Sequence, residues 1–556
     1  MSSSSKKKLR KEQAAAQLTQ KQLAAQKEAK KLKQMTLIFV VVVALVLAAA
    51  VTVLSIRAYN NSGIRERNTV ALTIGDHEIT AAEFNYYYYD AINGFYTQFS
   101  SYDQYAAEYA KAMYGIDMTL PLDEQIYSET DNTTWADYFI GEAEYSAKSV
   151  YALYDEATKN NFTLSEEEQS NLEKQFLAME AIATEGYEAK NMKDYLKGMY
   201  GPGADVESYK EYYTMSAIAE SYGSSYQNSV EYTEAEYRAH EAGKEAEYNS
   251  YSYATYLVSR GDYLTGGTKN EDGTTTYSDD DYKKAEQAAK KAAEELAEKA
   301  TSIKAFNDAV LKMDVNADSD EEVLINEYTE VVYSSVTSYM RDWICDASRE
   351  QGDTTIIENT TDIENEDGTT TKRLNGYYVI FFDGVNDNTY PLANVRHILL
   401  DFEGGTTDKD GNVTYSDEDK AATMKSAQAL LDEWKAGEAT EESFAALANE
   451  KSTDLGSNTN GGLYEDIYPG ETLEEFNEWV FTANRKAGDT GVVQTTEGCH
   501  IMYYSGDSEL TFRDFMIKNE LLSAHITEWQ NNLVDSVTVV RGDLSLMNTD
   551  MVMLPS

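Results

Sequence analysis

The sequence predicts an α+β protein behind an N-terminal transmembrane helix. Three observations predict it. Met35–Ile56 is an uncharged apolar run of 22 residues, long enough to span a bilayer. Residues 68–248 carry mainly helical patterning with repeated N-cap signals. Beyond Asn249, short apolar strand-like runs alternate with helical stretches, and this order occurs twice. With 556 residues the chain has room for three or four domains. Its 47 basic and 96 acidic residues disfavour nucleic acid as a partner, because phosphate binding needs clustered Lys and Arg. The acidity reads as a solvated surface that keeps the chain soluble. The two cysteines, Cys345 and Cys499, fall in different predicted domains, so no disulfide is expected; no zinc spacing occurs.

Residues 1–34 hold ten Lys/Arg against Glu12 and Glu28. This basic leader places the N-terminus in the cytoplasm. The leader is too long for an ordinary signal peptide. Residues 35–56 therefore read as an uncleaved signal anchor, with Ala48-Ala49-Ala50 leaving cleavage open as an alternative. Everything after Arg57 is expected outside the cell, single-pass; from Arg57 onward the count is 37 basic against 94 acidic residues. Val70–Ile79 reads as two short strands about Gly75-Asp76. Thr80 and Glu83 then form a capping box that opens a helix through Phe84. Ser165/Glu168 and Thr233/Glu236 repeat that signal, and Gly201-Pro202-Gly203 breaks the helical region. Tyr86–Tyr89 reads first as core packing, with a contact surface as the other reading. His77, His240 and His525 read as structural or solvent-facing.

Residues 249–386 and 391–507 read as two copies of one domain. Gly266-Gly267-Thr268 matches Gly404-Gly405-Thr406, Thr276–Asp279 matches Thr414–Asp417, and Phe306 matches Phe444, all 138 residues apart. Trp343, Arg349 and Gly352-Asp353-Thr354 match Trp479, Arg485 and Gly488-Asp489-Thr490 at an offset of 136. Gly376–Ile380 corresponds to Gly498–Met502. The copies differ at three polar positions. Thr255 stands where the second copy has His397, Tyr378 replaces His500, and Asn316 falls near the Asp454 position. The first copy also has a hairpin-like insertion near 364–373.

The second copy opens Asn394-Val395-Arg396-His397-Ile398-Leu399-Leu400 and closes Gly498-Cys499-His500-Ile501-Met502. Between these strands lie helical stretches at 419–436 and 442–449, then Ser452-Thr453-Asp454-Leu455-Gly456-Ser457, Gly461-Gly462-Leu463, Pro469-Gly470 and a helix at 473–482. This order of motifs, over about 110 residues, resembles the parvulin family of peptidyl-prolyl isomerases. The run Ile74-Gly75-Asp76 … Ile79-Thr80 … Glu83-Phe84 resembles the N-terminal segment of extracytoplasmic foldases of the PrsA and SurA type.

The resemblance implies a helical chaperone domain over 68–248, a degenerate parvulin-like domain over 249–386 and a parvulin domain over 391–507. It also implies a helix within 508–546 that packs back on the chaperone domain. The catalytic residues it assigns are His397, Asp454 and His500. The histidines are expected to hydrogen-bond side by side, with Asp454 facing the reacting amide and either acting electrostatically or fixing their tautomers. The proline pocket is expected to use Leu463 and Phe476, with Phe481 behind them. Thr472 stands where many parvulins have Met; it also heads the capping box Thr472–Glu475, and Leu473 is the candidate for the missing apolar contact. Cys499, next to His500 on a strand, should point away from the site. Asp401-Phe402-Glu403 replaces the basic cluster of phospho-specific parvulins, so neutral or basic peptides are expected. The acidic loop with Asp408, Asp410, Asn412 and Asp417 lacks the ligand spacing of an EF-hand and reads as solvated. No cofactor and no metal are expected. The partners are unfolded, proline-containing secreted polypeptides and the cell membrane. The alternative function is a holdase-type chaperone with little isomerase activity; a structural or adhesive surface protein is a third reading.

Overall fold

The computed structural model describes residues 3–16, 20–99, 105–187, 189–316, 323–364, 368–407, 409 and 413–547. Asp408, Asp410 and Asn412 lie outside the described residues. The chain divides into two compact units, Met1–Val230 with His525–Ser556, and Glu231–Ala524.

In the first unit, helix α1 (Gln20–Asn60) contains the apolar run; it is long and apolar enough to cross a membrane. Strands β1 (Val70–Ile74) and β2 (His77–Thr80) pair about the Gly75 turn, with Ile74 opposite His77. Helix α2 (Ala81–Thr97) starts with Thr80 and Glu83 bonded reciprocally to each other's backbone N–H groups. Ser165 and Glu168 do the same at α4 (Glu166–Ala181), which follows α3 (Trp135–Lys159). Tyr86–Tyr89 are all buried in the core of this unit with Phe84, Trp135 and Phe139. Tyr86 meets Tyr200 and Tyr209 edge-on at 5.1 and 5.3 Å, a favourable arrangement for aromatic rings. The tyrosine run therefore packs in the core. Helix α5 (Val206–Ser229) carries Tyr226, which stacks at 3.9 Å on Trp529 near the chain's end.

The second unit holds two four-stranded antiparallel sheets. The first comprises β3 (Ser250–Ser259), β4 (Asn326–Val332), β5 (Thr354–Glu364) and β6 (Thr370–Asn386), in the order β4-β3-β6-β5. Its helices are α6 (Asp279–Lys299), α7 (Ile303–Leu311) and α8 (Ser338–Ile344). The second sheet comprises β7 (Pro391–Asp401), β8 (Leu463–Ile467), β9 (Thr490–Gln494) and β10 (Gly498–Thr511), in the order β8-β7-β10-β9. Its helices are α9 (Asp417–Ala436), α10 (Glu441–Lys451) and α11 (Glu474–Val480).

The two halves share details that sequence identity alone does not require. Ser278/Asp281 and Ser416/Asp419 form matching capping boxes at α6 and α9. Arg349 lies over the Trp343 ring and Arg485 over the Trp479 ring. A Cβ on Gly376 would stand 2.3 Å from the Val258 carbonyl oxygen, and one on Gly498 2.4 Å from that of Leu400. Only glycine permits that approach of one strand to its neighbour. Asn316 hydrogen-bonds the Tyr256 hydroxyl. Tyr256 packs with the helices, so strand alternation puts Asn316 on the opposite face of the sheet from Thr255.

Helix α12 (Phe512–Ser536) begins in the second unit, and its last turns belong to the first. In the second unit Arg513 is buried and donates to Glu241, Asn249 and the carbonyls of Asp387 and Glu245. Beyond α12, β11 (Val539–Arg541) pairs with β1, giving the sheet order β11-β1-β2.

Candidate active site

Strand alternation sorts the second sheet into two faces. Ile398, Cys499 and Ile501 pack with Ala427, Leu431 and Phe444 of α9 and α10. Val395 and Met502 pack with Phe476 and Val480 of α11. His397 and His500 share the α11 face. The register sets His397 opposite Met502 and Leu399 opposite His500, so the histidines are diagonal neighbours. Both are buried, at 2% and 6% exposure. Cys499 points to the other face, fully buried, and burial pushes its thiol pKa up. It is an inert packing thiol.

The loop after α10 brings in the carboxylate. Thr453 N–H donates to the Leu399 carbonyl at 2.9 Å, which pins the loop to β7. Asp454 Oδ1 accepts from Gly456 N–H at 3.1 Å. Its Oδ2 stands 3.0 Å from His397 Nε2, 2.5 Å from Ser457 Oγ and 3.2 Å from the Tyr464 hydroxyl. Two glycines let the chain return beside β7. Gly462 has φ +67°, and a Cβ there would lie 2.1 Å from the His397 carbonyl oxygen. Its own carbonyl accepts His397 N–H at 2.8 Å.

These contacts fix the direction of every proton in the site. His397 Nδ1 is 3.1 Å from His500 Nδ1, and His500 Nε2 is 2.9 Å from Thr495 Oγ1. The Asp454 carboxylate only accepts, so His397 Nε2 carries a hydrogen and donates to it. In a neutral ring His397 Nδ1 is then an acceptor. It must take the proton of His500 Nδ1, which leaves His500 Nε2 to accept from the Thr495 hydroxyl. Burial lowers the pKa of both histidines, His500 to about 4, so both are neutral at pH 7. Burial pushes Asp454 up, but the bonds from Ser457 and Gly456 and the neighbouring His397 outweigh it and hold Asp454 ionised.

Beside the dyad opens a cavity of about 540 Å³, lined by His397, Leu399, Asp454, Tyr464, Glu471, Thr472, Leu473, Phe476, Glu497 and His500. Phe476 presents its ring edge-to-face to both imidazoles, at 5.5 and 5.4 Å. Thr472, Leu473 and Phe476 thus stand where the sequence put them, in the pocket wall. Leu463 does not. It pairs with Arg396 on the far face of β7, and Tyr464, opposite Val395, takes the wall position. Phe481 packs with Trp479 and Val480 and is absent from the cavity lining. The Thr472 capping box does not form: Leu473 is the N-cap of α11 without a side-chain bond, and the buried Thr472 hydroxyl has no partner among the described residues. Sequence reasoning missed Tyr464, Thr495, Glu471 and Glu497. Leu399 and Ser457 lay inside the motifs without a role. No His/Cys/Asp/Glu cluster able to hold a metal occurs among the described residues.

In the first half the equivalent strand positions are Thr255, opposite Ile380, and Tyr378, opposite Leu257. Tyr378 meets Tyr339 at 5.7 Å, and Met340 occupies the place of Phe476. No histidine stands there.

A neutral histidine pair braced by a carboxylate at one end and a hydroxyl at the other, set on a four-stranded sheet beside an apolar-walled cavity, defines an isomerase domain of the parvulin class. The pattern of the rotamase family, the PPIC-type PPIase domain, matches residues 397–506, and that stretch is a peptidyl-prolyl cis-trans isomerase domain. It resembles the foldases of the PrsA type. The foldase protein PrsA 1 of Listeria innocua is 36% identical over 112 residues, 20% of this chain and 30% of the relative. The foldase protein PrsA 3 of Bacillus cereus is 39% identical over 110 residues, 19% of this chain and 37% of the relative. The chain thus spans about a third of the length of the curated relatives it matches. Among solved structures, the peptidylprolyl isomerase PrsA of Bacillus cereus is similar over 27% of this chain and 50% of its own, at 24% identity and a TM-score of 0.17.

Proposed function

We propose that this chain is a membrane-anchored, extracytoplasmic foldase that isomerises X–Pro bonds in secreted polypeptides. The directed hydrogen-bond chain Thr495–His500–His397–Asp454 beside the cavity carries this reading. Rotation about an X–Pro amide meets a barrier of about 18–20 kcal/mol, because the C–N bond has partial double-bond character. No covalent bond must break. The site has to bind the twisted amide better than either planar form. Phe476, Leu399, Leu473 and Tyr464 would hold the proline ring, while the ordered dyad presents fixed dipoles to an amide that has lost conjugation. Asp454 spends its acceptor sites on His397, Ser457, Tyr464 and Gly456. This supports its role as the group that fixes tautomers over direct contact with substrate. Helix α1 would anchor the chain, with residues 1–34 cytoplasmic. The half at 249–386 would be a non-catalytic copy, and residues 68–248 with 508–546 the client-binding body.

Proline isomerisation by the full chain in detergent tests this. Activity on an Ala-Pro peptide should fall on the order of 100-fold in His397→Ala and Asp454→Ala. A folded chain with no activity would leave the holdase reading. That second reading has its own observation, a cavity of about 740 Å³ in the helical unit, walled by Tyr87, Phe95, Tyr138 and Phe139. Suppression of client aggregation by a His397→Ala chain would support it; no suppression would count against it.

A further inference from the structure

We propose that Glu471 and Glu497 make the catalytic cleft selective for a lysine or arginine beside the substrate proline. The inference rests on the isomerase reading and names its substrate class. Three carboxylates line the cavity, and no Lys or Arg does. Asp454 is fully engaged by the dyad chain. Both histidines are neutral at pH 7, so nothing in the wall offsets the remaining two carboxylates.

Glu471 comes from the loop before α11 and Glu497 from the β9–β10 turn, so the two charges reach the cleft from different segments. Glu471 accepts only the Tyr468 N–H, at 3.1 Å, among its described hydrogen bonds. Burial raises its pKa, and the nearby Asp466 adds to the rise. A substrate ammonium or guanidinium there would relieve both effects. Asp401, by contrast, accepts the Thr453 hydroxyl at 2.6 Å and does not line the cavity. The acidic selectivity therefore belongs to Glu471 and Glu497, not to the Asp401–Glu403 run. The two halves of the unit sharpen this. The repeat offsets place neutral Ser335 and Asn375 where the catalytic half has Glu471 and Glu497. The carboxylates accompany the dyad.

Exposed ion pairs are individually weak, so one or two of them give about fivefold in kcat/KM for Lys-Pro over Ala-Pro peptides, with Glu-Pro below both. The full chain in detergent is assayed on peptides with Lys, Arg, Ala or Glu on either side of proline. The preference should fade at about 1 M salt, where screening acts within about 3 Å. In the Glu471→Gln/Glu497→Gln double variant the Lys-Pro to Ala-Pro ratio should fall to about one. A ratio near one in the parent chain overturns the proposal. So does a preference that survives in the double variant, since it would then come from the net charge of −49. Anisotropy of the same peptides, labelled, separates the two readings. Tighter Lys-Pro binding by a chain without rotamase activity upholds the selectivity and overturns only the isomerase. Equal binding of Lys-Pro and Ala-Pro overturns the selectivity itself.

Discussion

Burial, with the neighbouring His397 second, holds His500 at about 4, and its acceptor nitrogen depends on one hydroxyl, that of Thr495. Two expectations follow from that pair. A histidine with a depressed native pKa binds its proton first in the unfolded chain. Its stabilising contribution is complete above the ordinary value of 6.5 and is lost as pH falls to about 4. Unfolding by denaturant at stepped pH should show the catalytic domain weakening across that window, by at most about 1.4 kcal/mol per pH unit for one proton. Rotamase activity should persist below pH 6.5, since both histidines are held below their ordinary value; a midpoint at 6.5 would mean that the dyad is not shifted by burial. Replacing Thr495 with Val removes the donor and leaves His500 Nε2 buried without a partner. That costs about 1–3 kcal/mol and frees the ring to take the other tautomer. Nitrogen NMR of the histidines should then show a mixture where the parent chain shows His500 protonated at Nδ1 only. At this scale the sequence exposed His397, Asp454 and His500 through their motifs. It hid Thr495, which lies in a turn five residues before His500, because nothing in spacing marks a hydroxyl as the second brace.

Elements place those atoms, and β8 is the most sensitive of them. Its approach to β7 depends on Gly462, at φ +67°, under the His397 carbonyl. Gly462→Ala combines the left-handed penalty of about 1–2 kcal/mol with a backbone clash worth about 1–3 kcal/mol. Its melting temperature should fall well below that of an Ala substitution at Gly470, where a Cβ meets open space despite φ +89°. Strand β8 also explains the wrong pocket residue. Leu463 and Tyr464 are adjacent in sequence and alternate in face. Which one faces His397 is set by the pairing of Leu463 with Arg396, a register that one strand's sequence does not contain. Helix α11 shows the same kind of limit. Thr472–Glu475 has capping-box chemistry, yet the helix starts after Leu473, and the Thr472 hydroxyl is buried without a partner among the described residues.

At the scale of the whole molecule, the second unit is two halves with one strand order and one reactive site. The double variant His397→Ala/His500→Ala should therefore lose all rotamase activity, with no residual rate from the first half, whose corresponding residues are Thr255 and Tyr378. Arg513 is a buried charge that ties Glu241, ahead of the first half, to the Asp387 carbonyl in the link between the halves. Arg513→Ala leaves Glu241 with Arg238 alone and should cost less than the about 3–5 kcal/mol of a buried charge left unpaired, read as a lower unfolding temperature with the dyad residues untouched. The sequence by itself determined the apolar run, the repeat and the trio His397, Asp454 and His500, because each is written in local chemistry or in constant spacing. Tertiary structure alone decided which side chains wall the cleft, which way its protons point and which carboxylates line it. Those depend on strand register, on glycine-permitted approach and on burial, and all three arise only when segments distant in sequence pack together.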